Sequence, residues 1–266
     1  MYTNKTASKR DPQRGLQNGI SATERGRAKL VETLCWLYKW HVTVAPLSRE
    51  FLGTTETNYL AQLERKGLVK SFLAPSLICG RGYMLSGDGV NAAVAALGHE
   101  LPYSVHPASV SHVLLKHNMA VQRVCIEPHR QGHIVTPGRF LTSARDGKIP
   151  DALIANGDEI YAVEVELSGK WSNELEQALN AHLKSLREET WQKVAYVSNS
   201  QKLLERYKKR LEFPIADWWQ TNLSDGSKRW IKGEPREITD EERAKFIWSH
   251  QPNLLKGFEM IKHSAS

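Results

Sequence analysis

The sequence predicts an α/β protein built from two folded units, and three observations point there. Residues 22–97 carry apolar positions at helical spacing and end in a pair of short apolar runs around a glycine-rich loop. Residues 107–211 read as helix, three strands, helix, strand, helix, the pattern of a sandwich around a central sheet. Within them, IPDALIANGDEIYAVEVEL (Ile149–Leu167) sets Asn156-Gly157-Asp158 between two apolar runs, which is hairpin chemistry.

Composition narrows the partners. The chain has 266 residues, 41% hydrophobic, enough for one large or two smaller cores. Its formal charge is +7 and its sequence pI about 9.2, which argues for an anionic partner. Nucleic acid suits better than a bilayer, because no run nears the ~20 apolar residues of a spanning helix. MYTNKTASKRDPQRG has no apolar signal region, so no membrane insertion is expected. Cys35, Cys79 and Cys125 are odd in number and widely spaced, which argues against a disulfide framework or zinc knuckle and for a reducing, cytoplasmic location.

Residues 1–21 are polar, with Lys5, Lys9, Arg10 and Arg14, and read as a disordered basic arm, either a backbone-contacting or a solubilising tail. In residues 22–97, Thr23 caps a helix carrying Leu30, Leu34, Leu37 and Tyr38. A short helix follows at Leu47–Leu52, with Gly53 as the turn. Thr54 or Thr55 then caps a third helix with Tyr59, Leu60 and Leu63, ending at Lys66-Gly67. Leu68–Leu73 and Tyr83–Leu85 are strands around a loop with Gly80, Arg81 and Gly82, and Val90–Leu97 closes the unit as a helix. This order resembles a winged helix-turn-helix, and LERKGLVKS…RGYMLSGDGVNAAV is similar to that family's third helix, wing and closing helix. The resemblance implies a third helix in the major groove, with Thr55, Glu56, Thr57, Asn58 and Gln62 at base edges and Lys66, Lys70 and Arg81 at phosphates. Glu56 departs from that picture, since a carboxylate repels phosphate, although it can accept from cytosine. A protein-binding module is the competing reading of the same unit.

Residues 98–107, with Gly98, Pro102 and Pro107, read as a linker. Pro107–Asn118 follows as a helix. Val121–Glu127 reads as a strand from its alternating Val121, Arg123 and Cys125, ended by Pro128 and a basic loop with His129, Arg130 and His133. Phe140-Leu141 suggests a short strand. Ser172–Thr190 reads as the longest helix, with Leu175, Leu179, Leu183 and Leu186 as its buried stripe. Lys193–Ser198 is a strand and Lys202–Arg210 a helix. Residues 212–266 hold Trp218, Trp219, Trp230 and Trp248, suited to a core or to stacking on unpaired bases, and Thr239-Asp240-Glu241-Glu242 looks like a helix start.

The hairpin carries the chemistry. Alternation puts Tyr161, Val163, Val165 and Leu167 on a core face, and Ala162, Glu164 and Glu166 on the other. Asp151 opens the preceding strand, so three carboxylates converge. They repel one another unless a cation neutralises them, and Mg2+ is the hard, oxygen-ligated choice for phosphate chemistry. The plain alternative is a solvated strand face. Pro150-Asp151 followed by Glu164-Val165-Glu166 resembles the PD-(D/E)xK nuclease superfamily, whose fold is that of the restriction endonucleases. The resemblance implies Asp151 and Glu164 as catalytic metal ligands. Glu166, also a carboxylate for the metal, stands where that family has its lysine. Lys170, just past the strand, and Lys184, on the following helix, are the candidate substitutes; solvated lysines are the plain reading of both.

Together, the sequence is identified as an N-terminal winged helix-turn-helix followed by a restriction-endonuclease-like α/β domain (107–211) and a Trp-rich C-terminal extension (212–266). With HPASVSHVLLKHNMAVQRV opening the second domain, residues 25–210 resemble the replication-relaxation family of plasmid proteins and MobC-type mobilization relaxases. That resemblance implies Mg2+- or Mn2+-dependent nicking of double-stranded DNA at a specific transfer origin, alongside other mobilization or coupling proteins. Two other readings stay open: a sequence-specific DNA-binding regulator with an inactive nuclease fold, and an accessory that recruits a relaxase or coupling protein. The histidines show no H-x-H pairing for a three-histidine site, and the parity of Tyr161 points it to the core.

Overall fold

Ser21, rather than Thr23, begins the first helix. Its hydroxyl accepts from the Glu24 N–H while the Glu24 carboxylate takes the Ser21 N–H, so two orphan donors are satisfied at once. The computed structural model describes residues 20–141, 148–222 and 227–258; the expected arm therefore lies almost wholly outside the described residues. Helix α1 (Ala22–Trp40) leads to α2 (Ala45–Leu52), which ends on Gly53 in the left-handed region at φ +59°. Helix α3 (Tyr59–Arg65) has only seven residues and starts after Asn58. Thr55, Glu56, Thr57 and Asn58 thus precede α3 instead of lying on it. Strands β1 (Val69–Leu73) and β2 (Arg81–Leu85) pair antiparallel, Val69 opposite Leu85, so Arg81 and Gly82 belong to a strand and not to its loop. Helix α4 (Gly87–Leu97), capped by Ser86, packs against α1.

Residues 98–107 do not hang free. The Tyr103 hydroxyl bonds the Leu85 N–H (2.7 Å) and the His41 carbonyl (2.9 Å), and the Tyr38 hydroxyl bonds both backbone groups of Leu101. Helix α5 (His112–Arg130) then runs unbroken through the stretch whose alternation suggested a strand. Leu115, Met119, Gln122 and Ile126 are buried along one face, a helical spacing that outweighs the local alternation. Pro128 sits in the last turn of the helix, where it removes one i→i−4 bond without ending the helix before Arg130. Strand β3 (Ile134–Pro137) follows, and Phe140 closes a 3-10 turn where a strand was expected.

Strands β4 (Ala152–Asn156) and β5 (Glu159–Val165) form the expected hairpin around Gly157, at φ +60°. After them come α6 (Ser172–Arg187), β6 (Lys193–Ser198), α7 (Gln201–Arg210), the ribbon of β7 (Ile215–Asn222) and β8 (Lys228–Arg236), α8 (Asp240–Ala244) and β9 (Phe246–His250). At 16 residues α6 is shorter than α1 and α5, each of 19. The main sheet runs β3-β4-β5-β6-β9; its first two pairings are antiparallel and its last two parallel.

Both faces of this mixed sheet are covered. Val163, Val165 and Val197 pack with α5 and with Trp36, Leu47 and Phe51 of α1 and α2. Ala162, Val194 and Tyr196 pack with Leu179 and Leu183 of α6 and Leu204 and Tyr207 of α7. The expected boundary between the two units is therefore crossed by one shared core. Buried Gln122 stitches it, accepting from Trp36 Nε1 (3.4 Å) and donating to the Val42 carbonyl (2.6 Å). The last segment is also integral: β9 lies beside β6, Trp248 stacks on Tyr196 at 5.2 Å, and Leu254, Leu255 and Phe258 join the first core. No helix among the described residues is long and apolar enough to cross a membrane.

Candidate active site

Asp151 is placed by backbone contacts. Its N–H donates to the Val163 carbonyl (3.0 Å), and its carbonyl accepts from the Gly138 N–H (2.8 Å). Gly138 permits that approach, since a Cβ there would stand 2.3 Å from the Pro150 carbonyl oxygen. The Asp151 carboxylate accepts from the Val165 N–H (2.8 Å) and pairs with His117 Nε2 of α5 (3.2 Å), which also lies 3.0 Å from the Val165 carbonyl. Burial alone would raise the Asp151 carboxyl; His117, Lys148 and the Val165 N–H outweigh it and hold it below the usual range. Burial would likewise lower His117, but bonding to Asp151 and to the Val165 carbonyl raises it, so the pair favours an ion pair.

Glu164 and Glu166 project to the α6/α7 side of β5. Glu164 is 1% exposed, and its oxygens are held by His182 Nε2 of α6 (3.0 Å) and by the Lys148 ammonium. Glu166 is held by the Lys170 ammonium and by the Tyr207 hydroxyl (3.4 Å). Lys170 is itself steadied, its N–H donating to the Tyr207 hydroxyl (3.1 Å). Burial, together with the neighbouring Lys170 charge, pushes Lys148 down to about 8, against the pull of Asp151 and Glu166. His182 is wholly enclosed, and burial pushes it well below its ordinary value; it is the neutral tautomer that donates from Nε2.

Glu164 and Glu166 share a face that is buried under two helices, so the plain alternative of a solvated strand face does not hold, while Asp151 turns at the end of the sheet towards α5. Each carboxylate has its own protein cation or donor. Among the described residues, no group of three or more His, Cys, Asp or Glu side chains is arranged to hold a metal ion. Lys170 does reach the cluster. Lys184 does not: its ammonium donates to the Trp218 carbonyl (2.8 Å) and pairs with Asp217 (3.1 Å) on β7.

His117, His182 and Lys148 escaped the sequence reading. His182 was legible as a polar residue on the α6 stripe, three positions after Leu179 and four before Leu186. Lys148 carries no local signal, because only the tertiary fold brings it to Glu164.

The expected DNA contacts fall into two groups. Thr55, Thr57 and Asn58 are exposed in the turn before α3, and Lys66 and Arg81 are exposed near the hairpin, with Lys70 half-buried on β1. Gln62 is engaged internally, donating to Glu56 (2.8 Å) and Asn58 (3.1 Å), while Glu56 pairs with Lys29 of α1 (2.8 Å). Glu56 therefore secures the turn, and its charge is largely met within the fold.

The fold and the cluster define a mixed α/β protein with a buried ionic site at the end of a five-stranded sheet. No known protein family, curated protein or solved structure matches this chain.

Proposed function

We propose that the chain is a plasmid-mobilization nickase: it grips a specific duplex site through residues 22–97 and cuts one strand at Asp151 and Glu164 with Mg2+ or Mn2+. The observation that carries this reading is the buried Glu164 paired with Lys148, which itself lies within electrostatic reach of Asp151 and of the Lys170–Glu166 pair. Buried charges oppose folding unless closely paired, and perturbed titratable groups gather at functional sites. Further support comes from the element order α5-β3-β4-β5-α6-β6 around a mixed sheet, from the hairpin unit ahead of it, and from the +7 charge.

The donor set fits a hard divalent cation in kind, being carboxylate oxygen, but it does so with two residues. Asp151 and Glu164 would hold the ion, in competition with the Lys148 ammonium. Glu166, paired with Lys170 and Tyr207, fixes a lysine and is a poorer ligand. A bound ion would supply Lewis-acid polarisation of the phosphate and a more acidic water. His117 and His182 orient the two ligating carboxylates through Nε2. Lys170 keeps a cation near the developing phosphate charge, and Lys148, whose ammonium is weakened by burial, is placed to offer a proton. Lys66 and Arg81 supply the salt-dependent hold on the backbone.

A second reading rests on one observation: each carboxylate is already compensated, by Lys148, Lys170 or His117. On it, the chain is a DNA-binding regulator with an inert site. Supercoiled plasmids carrying candidate transfer origins, incubated with Mg2+ or Mn2+, separate the two. The nickase reading expects open circles from wild type and none from Asp151→Ala or Glu164→Ala. Origin binding without metal-dependent nicking leaves only the regulator.

A further inference from the structure

The turn between β5 and α6 ends in Trp171, whose side chain is 82% exposed. Its backbone is fixed, since the Trp171 N–H donates to Glu174 (3.1 Å) and its carbonyl accepts from Leu175 (2.9 Å). The indole is therefore held out into solvent by a rigid helix start, one residue after the Lys170 that pairs with Glu166. Packing does not call for a tryptophan in such a place, because its value to a core lies in burial.

The ground beside it is basic. Arg206 of α7 lies over this turn, donating to the Lys170 carbonyl (2.6 Å). Lys202, Arg206 and Lys209 fall four and three residues apart and so line one stripe of α7, all three exposed. Arg206 and Lys209 line a groove of ≈190 Å³ between the start of α6 and the end of α7, closed by half-exposed Phe213. Glu205, on the flank of the stripe, is taken up by Gln201 (3.1 Å). An aromatic face beside a row of cations matches a polyanion that presents flat rings.

We propose that this rim binds an unpaired stretch of the DNA strand, with a base stacked on Trp171 and the adjoining phosphates along Lys202, Arg206 and Lys209. The proposal rests on the nickase reading and deepens it: the substrate would be opened next to the cut, with a splayed base captured at the mouth of the cluster. Duplex DNA keeps its bases stacked on one another and offers no ring to an isolated indole, so single-stranded character is what the geometry selects.

The test is fluorescence anisotropy with a labelled thymidine strand of about fifteen nucleotides, in EDTA so that no cleavage intervenes. Trp171→Ala should weaken binding by about fivefold or more, and Trp171→Phe, which keeps a flat ring, should stay within about twofold of wild type. Lys202→Gln with Lys209→Gln should lower the slope of log K against log salt by about 1.4. All of these positions are exposed, and an unchanged thermal midpoint confirms that each variant folds. Equal binding by wild type and Trp171→Ala overturns the proposal. Origin nicking with unaffected Trp171→Ala binding removes this surface and leaves the nickase; a Trp171-dependent strand contact without any nicking removes the nickase and leaves the surface.

Discussion

His182 Nε2 lies 3.0 Å from Glu164 Oε1, and neither side chain reaches solvent. The ring is walled by Trp191 and Tyr196, with centroids at 5.7 and 5.9 Å, so the imidazole cannot swing away from the carboxylate. Replacing His182 with Leu keeps most of the volume and deletes the donor. It should cost about 1–3 kcal/mol in denaturant melts, the penalty of a buried acceptor left short of a partner. His182→Gln, which can still donate, should recover part of that loss. A Leu variant as stable as wild type would mean that the contact carries no weight.

On the nickase reading, Lys148 and a divalent cation would compete for the Glu164 carboxylate. Lys148→Ala should bind Mn2+ more tightly than wild type in calorimetric titration while nicking more slowly, because the ammonium that blocks the ion is also the proton donor beside it. Weaker Mn2+ binding by Lys148→Ala would show that the lysine does not stand in the way of the metal.

Gly138 is the one residue type that fits against the Pro150 carbonyl. Gly138→Ala puts a methyl 2.3 Å from that oxygen, and backbone has to move to admit it. The expected cost is about 1–3 kcal/mol, the usual range for overpacking. On the nickase reading, the loss of nicking should exceed the effect on stability, since the displaced segment carries Asp151. Chemical denaturation and the plasmid assay, run on the same preparation, check both.

Glu176 gives the pH prediction. It is buried on α6 and receives the Ala216 N–H (2.8 Å), Arg210 (3.3 Å) and Lys232 (3.3 Å). Burial would raise its carboxyl; the Ala216 bond and the two cations outweigh this and lower it. A carboxyl lowered on folding adds stability that is complete above its ordinary value of 4.5 and is lost as pH falls through the folded value. Glu176→Gln should therefore cost about 2 kcal/mol at pH 7, below the usual figure for a broken buried pair because Lys232 is half exposed. The gap between the two proteins should shrink as pH drops below 4.5. A pH-independent gap in thermal melts would rule out ionisation as its source.

What could be read from the chain follows the range of the forces involved. The β4/β5 hairpin was legible because Asn156-Gly157-Asp158 fixes a turn locally, and Lys170 because it follows the strand closely. Val121–Glu127 misled because three alternating residues suit either period; only the longer spacing from Leu115 to Ile126 shows the helix. A solvated face was the plain alternative for Glu164 because alternation assigns one buried side, whereas α5 covers one face of the sheet and α6 and α7 the other. Lys148, His117 and His182 reach the carboxylates from three separate segments. Only His182 carries a local mark, as a polar residue on the α6 stripe, so the site's charge balance was beyond sequence reading.

The placement of β9 has a consequence for synthesis. Until Phe246–His250 leaves the ribosome, β6 keeps an unpaired edge, and until Phe258 follows, the first core lacks its last aromatic plug. A nascent chain stalled before that point exposes a strand edge ready to recruit other chains. Premature termination in this region should then yield insoluble material and not a smaller working protein.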